Sequence, residues 1–151
     1  LGNLRRLTYL NVGENRLTSL PDTLGSLTSL VELRAQHNLL AALPTSLGDL
    51  TALRELWLRG NRLTSLPDSV GRLRQLRELE LRENQFTEVP QALRGLPLLR
   101  RVDLRSNRLR ELPQWIADLP ALEKVDLRWN DVLVPEELLR RLEGRGCVVL
   151  R

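Results

Sequence analysis

The chain has 151 residues, 42% of them hydrophobic and 28% charged, with a formal net charge of +4; that length suits one domain, and no apolar run approaches the roughly 18 residues needed to cross a bilayer. Aromatic residues make up only 3%, so leucine has to build the interior, and the single cysteine excludes an internal disulfide. A basic balance of this size implies nothing about nucleic acid until the charges are placed on a face.

The chain opens on Leu1-Gly2-Asn3-Leu4, which matches Leu24-Gly25-Ser26-Leu27 further on. With no methionine present, this is read as the second half of an earlier unit, leaving Leu4, Leu7, Leu10 and Leu17 as an apolar end open to self-association. From Leu7 the chain reads Leu7, Leu10, Val12, Asn15, Leu17, and asparagines then recur at Asn38, Asn61, Asn84, Asn107 and Asn130, always 23 positions apart. Leu10 and Val12 are two apart, which predicts a short strand burying one side while Tyr9, Asn11 and Gly13 face the other. Leu20-Pro21 with Leu24 and Leu27 predicts a short helical turn that returns the chain along the outside. The next four units repeat both halves. In the sixth unit Val134-Pro135 arrives one residue early. Glu136 and Glu137 come next, then Arg140, Arg141 and Gly144, an order of acids, bases and glycine that predicts an α-helix. A last strand is expected over Cys147–Leu150, and residues 134–151 are expected to close the stack.

Six in-phase copies of LxxLxLxxNxL, five of them followed by (L/V)Pxx(L/V/I)xxL, resemble the leucine-rich-repeat family over essentially the whole chain. The 23-residue length and the Leu-Pro step are similar to the repeats of intracellular Scribble/Erbin-type scaffolds and of Roco proteins. The resemblance implies a single α/β domain over residues 1–151, a solenoid with a parallel sheet on its concave face and short helical turns on its convex face. It also implies a buried asparagine ladder, and a protein-binding module with no catalytic residue, no cofactor and no metal. One cysteine and no Asn-x-Ser/Thr acceptor fit a cytoplasmic setting.

Register places the open-face side chains in columns across the repeats. The third motif position gives Tyr9, Glu32, Glu55, Glu78, Arg101 and Lys124; the fifth gives Asn11, Arg34, Trp57, Glu80, Asp103 and Asp126; the seventh gives Gly13, Gln36, Arg59, Arg82, Arg105 and Arg128. Flanking columns add Arg54, Arg77 and Arg100 on one side, and Glu14, His37, Glu83 and Trp129 on the other. The signs interleave and nearly cancel, which argues against a phosphate-binding stripe. Glu80, Asp103 and Asp126 are expected to offset the stacked arginines. The candidate protein-binding residues are Tyr9, Arg34, Trp57, Arg59, Glu80, Arg82, Asp103, Arg105, Asp126 and Arg128.

Trp57 stands out because tryptophan in an open column exposes a large apolar face unless Arg34 or Arg59 covers it. Tryptophan and arginine are over-represented among interface hot spots, which makes it the expected anchor. Trp115, on the outer half, is expected to pack against the neighbouring return segment. His37 has no catalytic companion in the sequence, and Cys147 reads as a small buried hydrophobe. Two other readings stay open at this point. The chain could be the targeting segment of a larger enzyme, of the Roco GTPase or bacterial ubiquitin-ligase-effector kind, or an anion or nucleic-acid binder that uses Arg59, Arg82, Arg105 and Arg128.

Overall fold

The computed structural model describes residues 3–151, so the part of the opening match that falls on Leu1 and Gly2 lies outside the described residues. Seven short strands form one parallel sheet in chain order: β1 (Tyr9–Asn11), β2 (Glu32–Arg34), β3 (Glu55–Trp57), β4 (Glu78–Glu80), β5 (Arg101–Asp103), β6 (Lys124–Asp126) and β7 (Val148–Leu150). From β1 to β6 the register holds the sequence period, with Leu10 beside Leu33, Leu56 and so on. At the last step Lys124 pairs with Val148, one residue later than that period would give.

Each strand has three residues, yet the backbone pairing runs past it. Val12 N–H donates to Arg34 and Glu14 N–H to Gln36, and the same two bonds recur in the next repeats. The columns predicted beyond the strands therefore stay in register. The chain then turns sharply through a left-handed residue just before each repeated asparagine: Glu14, His37, Gly60, Glu83, Ser106 and Trp129 have φ between 52° and 67°. Only Gly60 adopts that conformation without steric cost, so the other corners need bonds from elsewhere to hold them.

The asparagine beside each corner supplies those bonds. Asn61 Nδ2 donates to Leu58 in its own repeat and to Ala35 in the preceding one, both at 3.0 Å, while its Oδ1 accepts the Leu40 N–H at 3.1 Å. Asn38, Asn84, Asn107 and Asn130 repeat the arrangement. Asn15 is exposed and its amide reaches only Val12 and Gly13, in its own repeat.

On the outer side, 3₁₀ turns span Asp22–Ser26, Thr45–Asp49, Asp68–Arg72, Gln91–Leu93 and Gln114–Asp118, each entered through an extended proline. Leucines three apart suit a helix of three residues per turn, and Leu24 and Leu27 are both fully buried. The turns pack closely: a Cβ on Gly48 would stand 2.3 Å from the Ser69 carbonyl oxygen. The fourth turn is short because Arg94 is extended and Gly95 left-handed (φ 83°), and there a Cβ on Gly71 would meet only the Ala92 oxygen, at 3.4 Å.

The core is a leucine column with Phe86 in one leucine place, and Trp115 joins it at 8% exposure. At the first-strand end Leu4 is exposed, while Leu7, Leu10 and Leu17 are partly buried against the core. The predicted helix forms as α1 (Glu136–Glu143), burying Leu138 and Leu142. Gly144 follows it directly as its C-cap, in the order the sequence predicts. Gly144 keeps right-handed helical geometry, and the left-handed residue is Gly146 (φ 81°), where Gly146 and Cys147 N–H groups bond back to Glu143 and Leu142. Cys147 is buried and ends just before β7, whose first residue is Val148. No helix among the described residues is long and apolar enough to cross a membrane.

This packing sets two stability predictions. Asn61→Ala leaves the buried Leu40 N–H unpaired and takes one of two amide donors from the Ala35 and Leu58 carbonyls, which keep Asn38 and Asn84; it should lower unfolding stability by about 1–3 kcal/mol, whereas Asn15→Ala should shift the urea midpoint little. Gly48→Ala drives a Cβ into backbone and should cost about 1–3 kcal/mol; Gly71→Ala should be neutral or stabilise by up to about 1 kcal/mol. Equal urea midpoints within either pair would contradict the packing described.

Candidate functional site on the concave face

Alternation along each strand buries the middle residue and turns its neighbours outward, so the open face carries the third, fifth and seventh motif positions as predicted. At the β1 end Arg34 lies between two aromatic rings, its guanidinium carbon 5.9 Å from the Tyr9 centroid and 5.1 Å from that of Trp57. Glu32, two residues back on the same strand, holds that guanidinium by a hydrogen bond that raises its pKa. Trp57 is half-buried and its indole N–H donates to Glu55 at 3.3 Å. Of the two arginines expected as candidates to cover the indole, Arg34 does so.

At the other end a charge lattice forms. Arg105 grips Asp103 in a bidentate pair and also lies 3.4 Å from Asp126, which takes Arg128 at 2.7 Å. Burial pushes the Asp126 carboxyl up, but the hydrogen bonds from Arg128 and the nearby charge of Arg105 outweigh it and hold the group below the usual carboxylate range.

The middle of the face departs from the expectation. Arg59 and Arg82 converge on Glu83, at 3.3 and 2.9 Å, and not on Glu80. Glu83 sits at a left-handed corner that swings its side chain to the arginine column, and their hydrogen bonds keep its pKa low despite burial. Glu80 makes no ion pair within 4.0 Å among the described residues. Burial, then the charge of Asp103, pushes its carboxyl above the ordinary value.

Trp129, which the sequence placed at the end of the face but outside the candidate set, is 65% exposed with Arg82 and Arg128 5.9 and 5.6 Å from its ring. Glu83 was missed as well. Its signal was the negative charge of the column just before the asparagines, whose direction depends on the corner conformation. A hollow of about 270 Å³ opens on the face between β3 and β6, walled by Trp57 and reaching Glu78, Glu80, Asp103, Lys124 and Asp126. Of the ten predicted residues, Trp57, Glu80, Asp103, Arg105, Asp126 and Arg128 line it; Tyr9, Arg34, Arg59 and Arg82 do not.

A parallel sheet in which every turn is tied to the next by asparagine defines a repeat solenoid. Family models described as leucine rich repeat match residues 51–109 and 90–132, and residues 6–27, and the chain belongs to the leucine-rich-repeat family. A leucine-rich-repeat protein of Leptospira interrogans superposes with a TM-score of 0.93 at 34% identity over 99% of this chain and 38% of that one. The ectodomain of the plant membrane receptor kinase GASSHO1/SCHENGEN3 from Arabidopsis thaliana, solved in complex with Casparian strip integrity factor 2, matches at TM-score 0.77 and 35% identity, over 87% of this chain and 16% of that one. An internalin of Listeria monocytogenes shares the fold alone, with TM-score 0.83, 22% identity, and coverage of 99% and 42%. The chain thus spans less than half the length of each of these proteins. No curated relative matches it in sequence.

Electrostatics separates two acids of the same column, Glu80 on β4 and Asp126 on β6. A carboxyl whose folded pKa is depressed adds stability above its unfolded value and loses it as pH falls; one whose folded pKa is raised subtracts stability at neutral pH. Asp126→Asn should therefore cost about 1.5–3 kcal/mol at pH 7, and Glu80→Gln should leave the thermal midpoint unchanged or higher. A Glu80→Gln midpoint lowered as far as that of Asp126→Asn would show that Glu80 holds the fold.

Proposed function

We propose that the concave face binds an extended segment of a partner protein, or of another domain of the parent chain, with no chemistry of its own. The carrying observation is the Tyr9–Arg34–Trp57 stack, which leaves aromatic surface beside a hollow instead of burying it. Support by analogy comes from the receptor-kinase ectodomain solved with its ligand. The α1–β7 end is proposed as the closing cap. A cytoplasmic setting, and a role like that of Scribble/Erbin-type or Roco repeats, are proposed on the single buried cysteine and the repeat length. Attachment to an enzyme is compatible with the same face. Anion capture by Arg59, Arg82, Arg105 and Arg128 is disfavoured, because each of them already faces Glu83, Asp103 or Asp126.

Strands about 4.8 Å apart give a face near one side of a standard interface, about 800 Å², so few residues must carry the affinity. Against a ligand selected from a displayed peptide library, Trp57→Ala should weaken binding by at least about 2 kcal/mol by calorimetry. Trp115 is no outer-face control, since removing it would open the core. Exposed Arg72 serves instead, and Arg72→Ala should leave the affinity unchanged. If Arg72→Ala abolishes binding and Trp57→Ala does not, the convex turns are the binding surface.

A further inference from the structure

The aromatic stack is open on one side. Trp57 has Arg34 over its ring on the β2 side, and on the other side it walls the hollow. Register sets Glu80 directly beside Trp57 on the adjoining strand. Among the charged groups around the hollow, Glu78 pairs with Arg101, and Asp103 and Asp126 are held by Arg105 and Arg128. Glu80 and Lys124 are left without an ion pair within 4.0 Å among the described residues.

These two free charges are not equivalent. Lys124 is exposed and hydrated, whereas Glu80 is half-buried. A counter-charge at a given distance is felt about four times more strongly at the effective dielectric of a partly buried site than in bulk water. Glu80 has therefore lost hydration without gaining a hydrogen-bonded counter-ion, Arg59, Arg82 and Arg105 acting on it only through space, and it is the group in the hollow that gains most from one. Its natural partners in the sequence, Arg59 and Arg82, are drawn away by Glu83.

We propose that the hollow is a subsite for one cationic side chain, arginine or lysine, of an extended polypeptide, its charge against Glu80 and its plane or stem against Trp57. The inference rests on the concave face being the binding surface. Arginine fits better than lysine, because a planar guanidinium stacks on indole while donating to a carboxylate. It would also continue the existing order of Tyr9, Arg34 and Trp57 by one more cation. Asp103, held by both guanidinium donors of Arg105, is neutralised locally and leaves the incoming cation to Glu80.

The test uses blocked pentapeptides of glycine and alanine with one central arginine, citrulline or glutamate, titrated into the ¹⁵N-labelled chain. The chain has three tryptophans, so the indole N–H resonances, assigned by single substitutions, report Trp57, Trp115 and Trp129 separately. The arginine peptide should shift Trp57 saturably and leave Trp115 in place. Its neutral near-isostere citrulline should bind at least tenfold more weakly. Glu80→Gln, with an otherwise unchanged spectrum, should weaken the arginine peptide at least tenfold, and Arg72→Ala should not. Equal binding of arginine and citrulline, an unaffected Glu80→Gln, or no Trp57 shift would overturn the subsite. If the glutamate peptide alone shifts Trp57 or Trp129, the subsite falls and the concave binding face stands. If no peptide shifts either ring, and the library ligand depends on Arg72, both readings fall.

Discussion

One side-chain amide per repeat does the joining. Each interior asparagine donates to carbonyls of two successive repeats and accepts an N–H from the earlier one, so a corner cannot move without its neighbour. Buried backbone groups left without such partners would each incur an uncompensated desolvation cost. The amide is suited to this because it has both donors and an acceptor, which a carboxylate or a hydroxyl cannot supply in the same geometry. It also stabilises the left-handed corner that precedes it, five times out of six on a residue with a side chain. The constant spacing of each asparagine from its strand is a consequence, since an insertion between Leu58 and Asn61 or their equivalents would break these bonds.

That fixed register shapes the charge pattern on the open face. Stacking at about 4.8 Å puts like beside like: Glu32, Glu55 and Glu78 in one column, Glu80, Asp103 and Asp126 in another. Such columns repel. The structure relieves much of the repulsion along strands, because residues two apart point to the same side. Arg34 bonds Glu32, Arg105 bonds Asp103 and Arg128 bonds Asp126, each an i, i+2 pair. Glu80 should have paired with Arg82 by the same rule, and the corner residue Glu83 intervenes. The failure of that pairing at Glu80 thus arises from one acidic residue in the column before the asparagines.

Backbone periodicity was legible in the sequence and side-chain choice was not. Strands at Leu10, Leu33 and their equivalents, the outer turns after each proline, and the helix from Glu136 depend on spacings of two, three and 23 residues, which burial enforces. The column membership of Trp57 and Arg34 came from the same arithmetic. Which acid an arginine selects depends instead on long side chains whose rotamers differ by fractions of a kcal/mol. Hence Glu83, outside the candidate set, takes the ion pairs of Arg59 and Arg82, and Glu80 offsets those arginines only through space. Trp129 was undervalued because its direction is set by a φ of 60°, an angle more typical of glycine than of tryptophan. Gly144 caps the helix as its place in the sequence predicts, while the left-handed turn at Gly146, which places the Cys147 N–H on Leu142, had no signal beyond the glycine itself.

The finished lattice also constrains how such a face can bind. The ion pairs of the lattice are matched internally and partly buried, Asp126 almost completely, so a partner that displaced one would have to make good a buried charge left unpaired. A segment crossing Arg105, Asp103, Asp126 and Arg128 would need to match groups already matched, and would gain orientation more than affinity. Favourable energy concentrates where the face is unfinished: the free side of the Trp57 ring, the unpaired carboxylate of Glu80, and the exposed indole of Trp129 with its two flanking arginines. Trp57 and Glu80 adjoin on neighbouring strands, whereas Trp129 lies on the far margin of the sheet. A ligand spanning from Trp57 to Trp129 would cross β4, β5 and β6, so its direction would be fixed by which end carries the positive charge.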